Sequence, residues 1–373
     1  MIRLVVGVIV ICIGGVLVGC GGNASPTPHP AAQTATPEPT VRPVAATATL
    51  APSPSPTAAP SAVTEPSPTA TPVAADPASS PSGSGPVVFV WRTSGDAQHP
   101  LDRPTKMATD KNGNLYVVDG RNNRIQKFNA DGAFLIAWGS EGSGDGQFEF
   151  QRGTDHPGAI AVDAQGMVLA VDDTGRVQKF DQNGVFLGKW GGRQGTGDGQ
   201  FDLPIGMAVA SDGSIYIVDA YNNRIQKFDA GGRFLTKWGT QGKGEGQFDR
   251  PNSVGVDANG DVYVGDYYND RVQKFDSSGK FLLQWGGTGT GDGQFQGAIG
   301  LAADSRGNVY VGDNMGNRVE KFDTNGKYLG QWGSQGGGDG QFQFVFSITA
   351  DLQGNVYVSS DGGYDRVQKF RPR

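Results

Sequence analysis

Short apolar segments, rich in β-branched and aromatic residues, recur along most of this chain and are separated by turn-forming residues. In one representative unit they occupy residues 207–209, 215–218, 224–228 and 234–238. Segments of this length are too short for helices and predict β-strands. Pairs such as Asn112-Gly113, Asn183-Gly184 and Asn259-Gly260 stand between them. Such pairs supply the positive φ that tight hairpins need, so the strands are predicted to pair antiparallel.

Two aromatic series show that this unit is repeated six times. The tryptophans are separated by 47, 52, 48, 47 and 47 residues: Trp91, Trp138, Trp190, Trp238, Trp285 and Trp332. A second series ends six copies of an Arg-[Ile/Val]-[Gln/Glu]-Lys-Phe run: Phe128, Phe180, Phe228, Phe275, Phe322 and Phe370. Four strands per unit and a period near 47 residues predict the blades of a β-propeller.

The two ends of the repeat region complete each other. Residues 87–91 match only the fourth strand of a unit, whereas residues 366–370 match the third strand. One blade is therefore predicted to contain both ends, which removes two open sheet edges. The prediction is an all-β, six-bladed propeller over residues 87–373, closed by its N- and C-terminal strands.

The motif in these units resembles the NHL repeat. The resemblance is carried by residues 252–257 (Asn-Ser-Val-Gly-Val-Asp), 260–266 (Gly-Asp-Val-Tyr-Val-Gly-Asp) and 269–275 (Asn-Asp-Arg-Val-Gln-Lys-Phe). It extends over residues 87–373 in six copies, and it implies a six-bladed propeller. Members of the family include sensor domains of receptor kinases, interaction domains of ubiquitin ligases and an amidating lyase, so the fold alone does not fix the function.

The first 86 residues differ sharply in composition. Of the 22 prolines, 16 lie between Pro26 and Pro86, and no aromatic residue precedes Phe89. Residues 21–86 cannot bury enough apolar area to offset chain entropy and are predicted to be a disordered Pro/Thr/Ala/Ser-rich linker. Residues 1–20 contain a basic start and an apolar run of about 15 residues, which is too short to span a bilayer and is typical of a secretory signal.

That run ends in Leu17-Val18-Gly19-Cys20, which resembles the lipobox of bacterial lipoproteins. The resemblance implies that Cys20 is lipidated and that the protein is held at the cell membrane or cell surface, outside the cytoplasm. Membrane contact is expected through this anchor only. A signal that is left uncleaved, or is cleaved without lipidation, is the alternative.

Charge and cysteine content exclude several classes of function. Residues 87–373 carry 29 basic and 34 acidic groups and contain no cysteine. A net-negative domain matches nucleic acid poorly, and disulfides and cysteine-based metal sites are not available to it. Each glycine-rich loop, such as residues 144–148, offers one carboxylate rather than a calcium cluster. Two isolated histidines, His99 and His156, do not form a zinc site. No cofactor or metal is therefore expected, and the domain is expected to be a monomer.

Acid–base pairs at a spacing of five residues recur in five units and are interpreted as structural clamps across one turn. They are Asp119 with Arg124, Asp219 with Arg224, Asp266 with Arg271, Asp313 with Arg318, and Asp361 with Arg366.

Positions that break the repeat are the candidates for ligand binding. Lys106 stands where the other units have a small residue (Ala159, Gly206, Ser253, Gly300 and Ser347). An insertion before Pro157 carries Arg152, Asp155 and His156. The turns on one face add Arg121, Tyr221, Tyr267, Tyr268 and Tyr364, which are residue types that anchor binding surfaces. Loop variation and a solvated lysine are the alternative explanations.

These features favour a non-enzymatic, membrane-anchored module that recognises a protein, peptide or glycan through one face. Two alternatives stay open. One is a lyase or hydrolase with acid–base groups at the channel mouth, using Lys106, Asp155 and His156. The other is a structural spacer of the cell envelope without a specific ligand.

Overall fold

The computed structural model describes residues 85–150, 158–360, 363 and 365–373. Several predicted features lie outside this part of the chain: the signal segment 1–20 with Cys20, residues 21–84 of the linker, Arg152, Asp155, His156, Asp361 and Tyr364. Among the described residues, no helix is long and apolar enough to cross a membrane.

The described chain forms six antiparallel sheets of four strands each, which confirms the predicted all-β, six-bladed propeller. Blade 1 contains β2 (Pro104–Thr109), β3 (Leu115–Asp119), β4 (Arg124–Phe128) and β5 (Phe134–Trp138). Blade 2 contains β6 (Ala159–Val162), β7 (Val168–Val171), β8 (Arg176–Phe180) and β9 (Phe186–Gly191). Blade 3 contains β10 (Pro204–Val209), β11 (Ile215–Asp219), β12 (Arg224–Phe228) and β13 (Phe234–Trp238).

The second half of the ring repeats this plan. Blade 4 contains β16 (Pro251–Val256), β17 (Val262–Asp266), β18 (Arg271–Phe275) and β19 (Phe281–Gly286). Blade 5 contains β20 (Ala298–Ala303), β21 (Asn308–Asp313), β22 (Arg318–Asp323) and β23 (Tyr328–Trp332). Blade 6 contains β24 (Val345–Ala350), β25 (Val356–Ser360), β26 (Arg366–Pro372) and β1 (Val87–Thr93). Minor elements are the parallel pair β14 (Thr240–Gln241) and β15 (Gln247–Phe248), and the 3-10 turns Gly120–Asn122 and Tyr267–Asn269.

Closure is made by strands from both ends of the described chain. Strand β1 pairs antiparallel with β26, with Val87 opposite Pro372 and Phe89 opposite Phe370. The inner strands β2, β6, β10, β16, β20 and β24 contact one another in that order, and β24 contacts β2 to complete the ring. Blades 1 and 4 therefore face each other across the axis.

The hydrophobic core lies between neighbouring blades. One cluster joins Tyr216 and Ile225 of blade 3 to Val264 and Phe275 of blade 4, together with Phe248 of β15. Five tyrosines occupy the same position in their units and are fully buried: Tyr116, Tyr216, Tyr263, Tyr310 and Tyr357. Burial of both sheet faces explains why the middle strands are apolar along their whole length instead of alternating.

The aspartate–arginine pairs tie each turn to the loop that enters its blade. Arg224 Nε donates to Asp219 Oδ2 at 2.7 Å, and the same guanidinium donates to the carbonyls of Thr196, Gly197 and Gln200. The Nε–Oδ2 distances for Arg124, Arg271 and Arg318 are 2.7, 2.8 and 3.0 Å. These contacts place the pairs where a charge-assisted hydrogen bond satisfies a buried carboxylate.

Two blades depart from the five-residue spacing. In blade 2 the turn is one residue shorter, and Arg176 Nη2 contacts Asp172 Oδ2 at 2.7 Å, a pair that the spacing rule missed. In blade 6 the register places Ser360 opposite Arg366, where the other blades have their aspartate. The five-residue spacing predicted Asp361 as the partner of Arg366, and Asp361 lies outside the described residues. The segment between Ser360 and Arg366 is one residue longer than the equivalent turn of blade 4.

Candidate functional site

The inner strands approach so closely near the start of each blade that most blades accept only a small residue there. A Cβ atom on Gly206 would lie 2.9 Å from the Asn252 carbonyl oxygen, and one on Gly300 would lie 3.1 Å from the Ile348 nitrogen. The series of small residues in the sequence therefore follows from packing between neighbouring inner strands.

Lys106 breaks this series in blade 1 and reaches across the axis. Its Nζ donates to Asn252 Oδ1 of the opposite blade at 2.7 Å. Lys106 also lines a cavity of about 40 Å³. Its described lining residues include Lys106, Ser253 and Ser347, together with the apolar residues Met107, Met207 and Leu301.

The environment of Lys106 is unusual for a lysine. Only 9% of its surface is exposed, and within the described part of the chain it makes no ion pair. Burial alone lowers the pKa of the Lys106 amine to about 7. The amine thus titrates near neutral pH at the end of a small axial cavity.

A second feature lies on the turn face, which is the face formed by the turns between the second and third strands of the blades. Tyr221 of blade 3 and Tyr268 of blade 4 both contact the guanidinium of Arg250, which lies 4.8 and 5.2 Å from their ring centroids. Arg250 Nη1 also donates to the Tyr268 hydroxyl at 3.0 Å. We call Tyr221, Arg250 and Tyr268 the tyrosine–arginine cluster.

Backbone geometry explains how Arg250 reaches this position. Arg250 has a φ of 49° and directly precedes β16. Its N–H donates to Asn223 Oδ1 of the preceding blade at 2.8 Å. The same bond recurs between blades, from Gly297 to Asp270 and from Phe344 to Asn317. Comparison of the turns between the second and third strands of each unit missed Arg250, because this residue belongs to the loop that enters blade 4.

The structure separates the other predicted turn residues by role. Tyr267 packs against Tyr268 with the ring centroids 5.0 Å apart and the ring planes tilted by 52°. It is half-buried with its ring over Gly297, and burial raises its pKa. Arg121 is exposed and pairs with Asp102 at 3.2 Å. Neither residue joins the tyrosine–arginine cluster. Asp155 and His156 lie outside the described residues.

Metal ligands do not converge among the described residues, which contain no group of three His, Cys, Asp or Glu side chains able to hold an ion. His99 stacks on Phe134 at 4.1 Å and its Nδ1 lies 3.0 Å from Asp96 Oδ1. The aspartate of the loop 144–148 pairs with Lys189 at 2.5 Å, while Phe148 below it is fully buried. This loop therefore serves to pack one blade against the next.

The arrangement defines a six-bladed β-propeller closed by a strand from each end, with an axial cavity and an aromatic turn face. Three units of this propeller are NHL repeats, since the NHL repeat profile matches residues 101–128, 201–228 and 248–275. NHL repeat-containing protein 3 of Mus musculus is 35% identical over 118 residues, which cover 28% of this chain and 32% of that protein. The alignment thus spans about a third of that relative's length.

Other proteins share parts of the sequence or the fold. Peptidylglycine alpha-amidating monooxygenase of Rattus norvegicus is 26% identical over 193 residues, 38% of this chain and 20% of that protein. A streptogramin B lyase structure superposes with a TM-score of 0.53 at 14% identity and covers 76% of this chain and 98% of that one. A gluconolactonase from Xanthomonas campestris superposes with a TM-score of 0.53 at 15% identity, over 77% and 89% of the chains. At these identities the superpositions show the fold alone.

Proposed function

We propose that this protein is a membrane-anchored recognition module that binds a protein, peptide or glycan outside the cytoplasm through its turn face. The tyrosine–arginine cluster is the observation that carries this proposal. Tyr221 and Tyr268 are 44% and 53% exposed, although most large rings of the domain are buried. Tyrosine and arginine are over-represented among the residues that dominate binding energy at interfaces.

The cluster is also organised before any partner arrives. Stacking on two rings and the bond to the Tyr268 hydroxyl restrict the Arg250 side chain. The backbone of Arg250 is held by Asn223 of the neighbouring blade. A restrained anchor loses little side-chain entropy on binding, which favours affinity. Because the cluster bridges two blades, its geometry depends on the rigid ring beneath it.

Partner capture from envelope extracts tests the turn face. We expect the double variant Tyr221→Ala with Tyr268→Ala to capture less partner than the unaltered protein, by a factor of about ten or more. The reason is that hot-spot truncations cost about 2 kcal/mol or more. The matched control is Leu187→Ala with Leu282→Ala, which removes two exposed side chains from outer strands. Equal capture by all three proteins would refute this surface and favour the envelope-spacer alternative.

Membrane anchoring is proposed to depend on the Cys20 thiol. We expect Cys20→Ala to move the protein from the membrane fraction to the soluble fraction and to abolish incorporation of labelled palmitate. Cys12→Ala is the matched control, since Cys12 is the other cysteine of the chain. Several acyl chains hold a protein far more firmly than one, so the change in fractionation should be nearly complete. Lipid incorporation that persists in Cys20→Ala would overturn this assignment.

A further inference from the structure

The cavity on the propeller axis is lined by Lys106, whose amine is a hydrogen-bond donor. Lys106 Nζ reaches Asn252 at 2.7 Å, and the Asn252 amide carries its two N–H donors beside the oxygen that accepts this bond. We propose that the axial cavity binds a small carboxylate, of formate size, at the Lys106 amine, next to the Asn252 side-chain amide. This site is separate from the tyrosine–arginine cluster.

Charge is the first argument for a carboxylate. Lys106 is the charged side chain among the described residues that line the cavity; those from β6, β10, β16, β20 and β24 are uncharged. Asn252 offers the Lys106 amine a neutral oxygen acceptor and no counter-charge. A buried ammonium without a counter-charge is costly, and an incoming carboxylate would supply the missing partner.

Polar surface within the cavity gives the second argument. Ser253 and Ser347 both line the cavity and are 7% and 5% exposed. The Ser253 hydroxyl, which lies over Gly265, is buried and has no hydrogen-bond partner among the described residues. The cavity wall therefore contains polar side chains from blades 4 and 6 in addition to Lys106.

Size restricts the occupant. A volume of about 40 Å³ has room for about three waters, which matches a molecule of three heavy atoms. Two donors on separate side chains match the two oxygens of a carboxylate better than they match a spherical halide.

Proton linkage makes the proposal sharply testable. Because burial lowers the pKa of Lys106 to about 7, binding of a carboxylate near neutral pH must be coupled to proton uptake by the amine. Formate affinity should therefore fall about tenfold between about pH 6 and about pH 8, as the protonated fraction of the amine falls.

Binding of isotope-labelled formate to the full chain, followed by NMR, tests the site. We expect saturable binding that Lys106→Met abolishes and Asn252→Ala weakens, while Lys243→Met, which alters an exposed lysine, leaves it unchanged. Thermal unfolding identifies any variant that fails to fold, and Asn252→Ala then carries the test. Absence of saturable binding, binding that survives Lys106→Met, or binding independent of pH would overturn the proposal. Displacement of formate by chloride at lower concentration would overturn the choice of a carboxylate.

Discussion

At the scale of single residues, Glu320 shows how one substitution within a repeat changes the chemistry of a blade. The equivalent glutamine of blade 4, Gln273, accepts from the Gly246 N–H at 2.9 Å and donates to the Gln247 carbonyl at 2.6 Å. Glu320 makes the first of these bonds, because its Oε2 accepts from the Gly293 N–H at 2.8 Å. A carboxylate can supply the donating half only when it is protonated.

The surroundings of Glu320 favour that proton. The side chain is fully buried, and burial raises its pKa to about 7 despite the nearby Arg318 guanidinium. Arg318 Nη2 lies 2.9 Å from Glu320 Oε1, yet this oxygen has no aligned hydrogen bond. Desolvation of the Glu320 carboxylate therefore outweighs its attraction to Arg318.

Replacing Glu320 with glutamine should remove a pH dependence of stability. The unfolded carboxyl has a pKa of about 4.5, so the unfolded chain releases its proton first and the free energy of unfolding falls as pH rises from about 4.5 to about 7. We expect Glu320→Gln to raise this free energy by about 1–3 kcal/mol above pH 7 and to change little near pH 4. Chemical denaturation across this pH range measures both effects.

The reciprocal substitution is the control. Gln273→Glu should introduce the same loss of stability with rising pH into blade 4, because Gln273 is equally buried. If Glu320→Gln were no more stable than the unaltered protein at about pH 8, ionised Glu320 would be stabilised by Arg318 after all. The sequence shows that Glu320 is the one acid at a position where the other five units have glutamine. It does not show that this side chain is buried.

At the scale of elements, the hairpin glycine between the third and fourth strands does more than allow a turn. A Cβ on Gly279 would lie 2.6 Å from the Trp238 ring of the preceding blade, and Gly279 has a φ of +91°. Similar contacts join Gly132 to Trp91 and Gly326 to Trp285. The tryptophan of one blade therefore packs directly on the turn backbone of the next.

A pair of glycine substitutions in blade 4 separates the turn from the stacking. Gly260 also has a positive φ, +84°, but no atom lies within 4 Å of its ideal Cβ. We expect Gly260→Ala to cost about 1–2 kcal/mol from backbone strain alone. Gly279→Ala should cost about 1–3 kcal/mol more, because the Trp238 ring must move. Equal losses in denaturant unfolding would show that the ring contact carries no energy.

Much of this element-level organisation could be predicted, and the failures have local causes. Strands and hairpins followed from the Trp and Phe series, because each blade repeats the same contacts. In blade 6 an extra residue in the turn places Ser360 opposite Arg366, and the Asp361 that spacing predicted as the partner of Arg366 lies outside the described residues. In blade 2 a shorter turn concealed the Asp172–Arg176 pair. Spacing rules fail wherever a turn changes length.

At the scale of the whole molecule, contacts that depend on ring closure were out of reach of sequence reasoning. Lys106 and Asn252 are 146 residues apart and meet because blades 1 and 4 are opposite in a ring of six. Arg250 and Tyr221 meet because neighbouring blades pack side by side. Lys106 was identified because it breaks its series, but its partner became apparent only from the ring.

Closure itself was predictable, because the ends of the chain carry complementary parts of one unit, and its energetic role can be tested. Strand β1 packs Val87 and Phe89 against the cluster that contains Trp332, Tyr310 and Phe370. A chain starting at Ser94 should lose about 3–5 kcal/mol of stability relative to one starting at Gly85, from three half-buried apolar side chains alone. The exposed edge of β26 should also promote aggregation.

Adding the missing strand as a separate peptide provides the decisive comparison. A peptide of residues 87–93 should pair with β26 and restore the melting temperature in a concentration-dependent manner, because binding to the folded state stabilises it by mass action. A peptide with Phe89→Ser and Trp91→Ser should not, since those side chains fill the contacts with Phe370 and Tyr357. If the chain starting at Ser94 melted at the same temperature as the longer chain, the ring would be stable without β1. Closure by β1 would then not be the source of the domain's cooperativity.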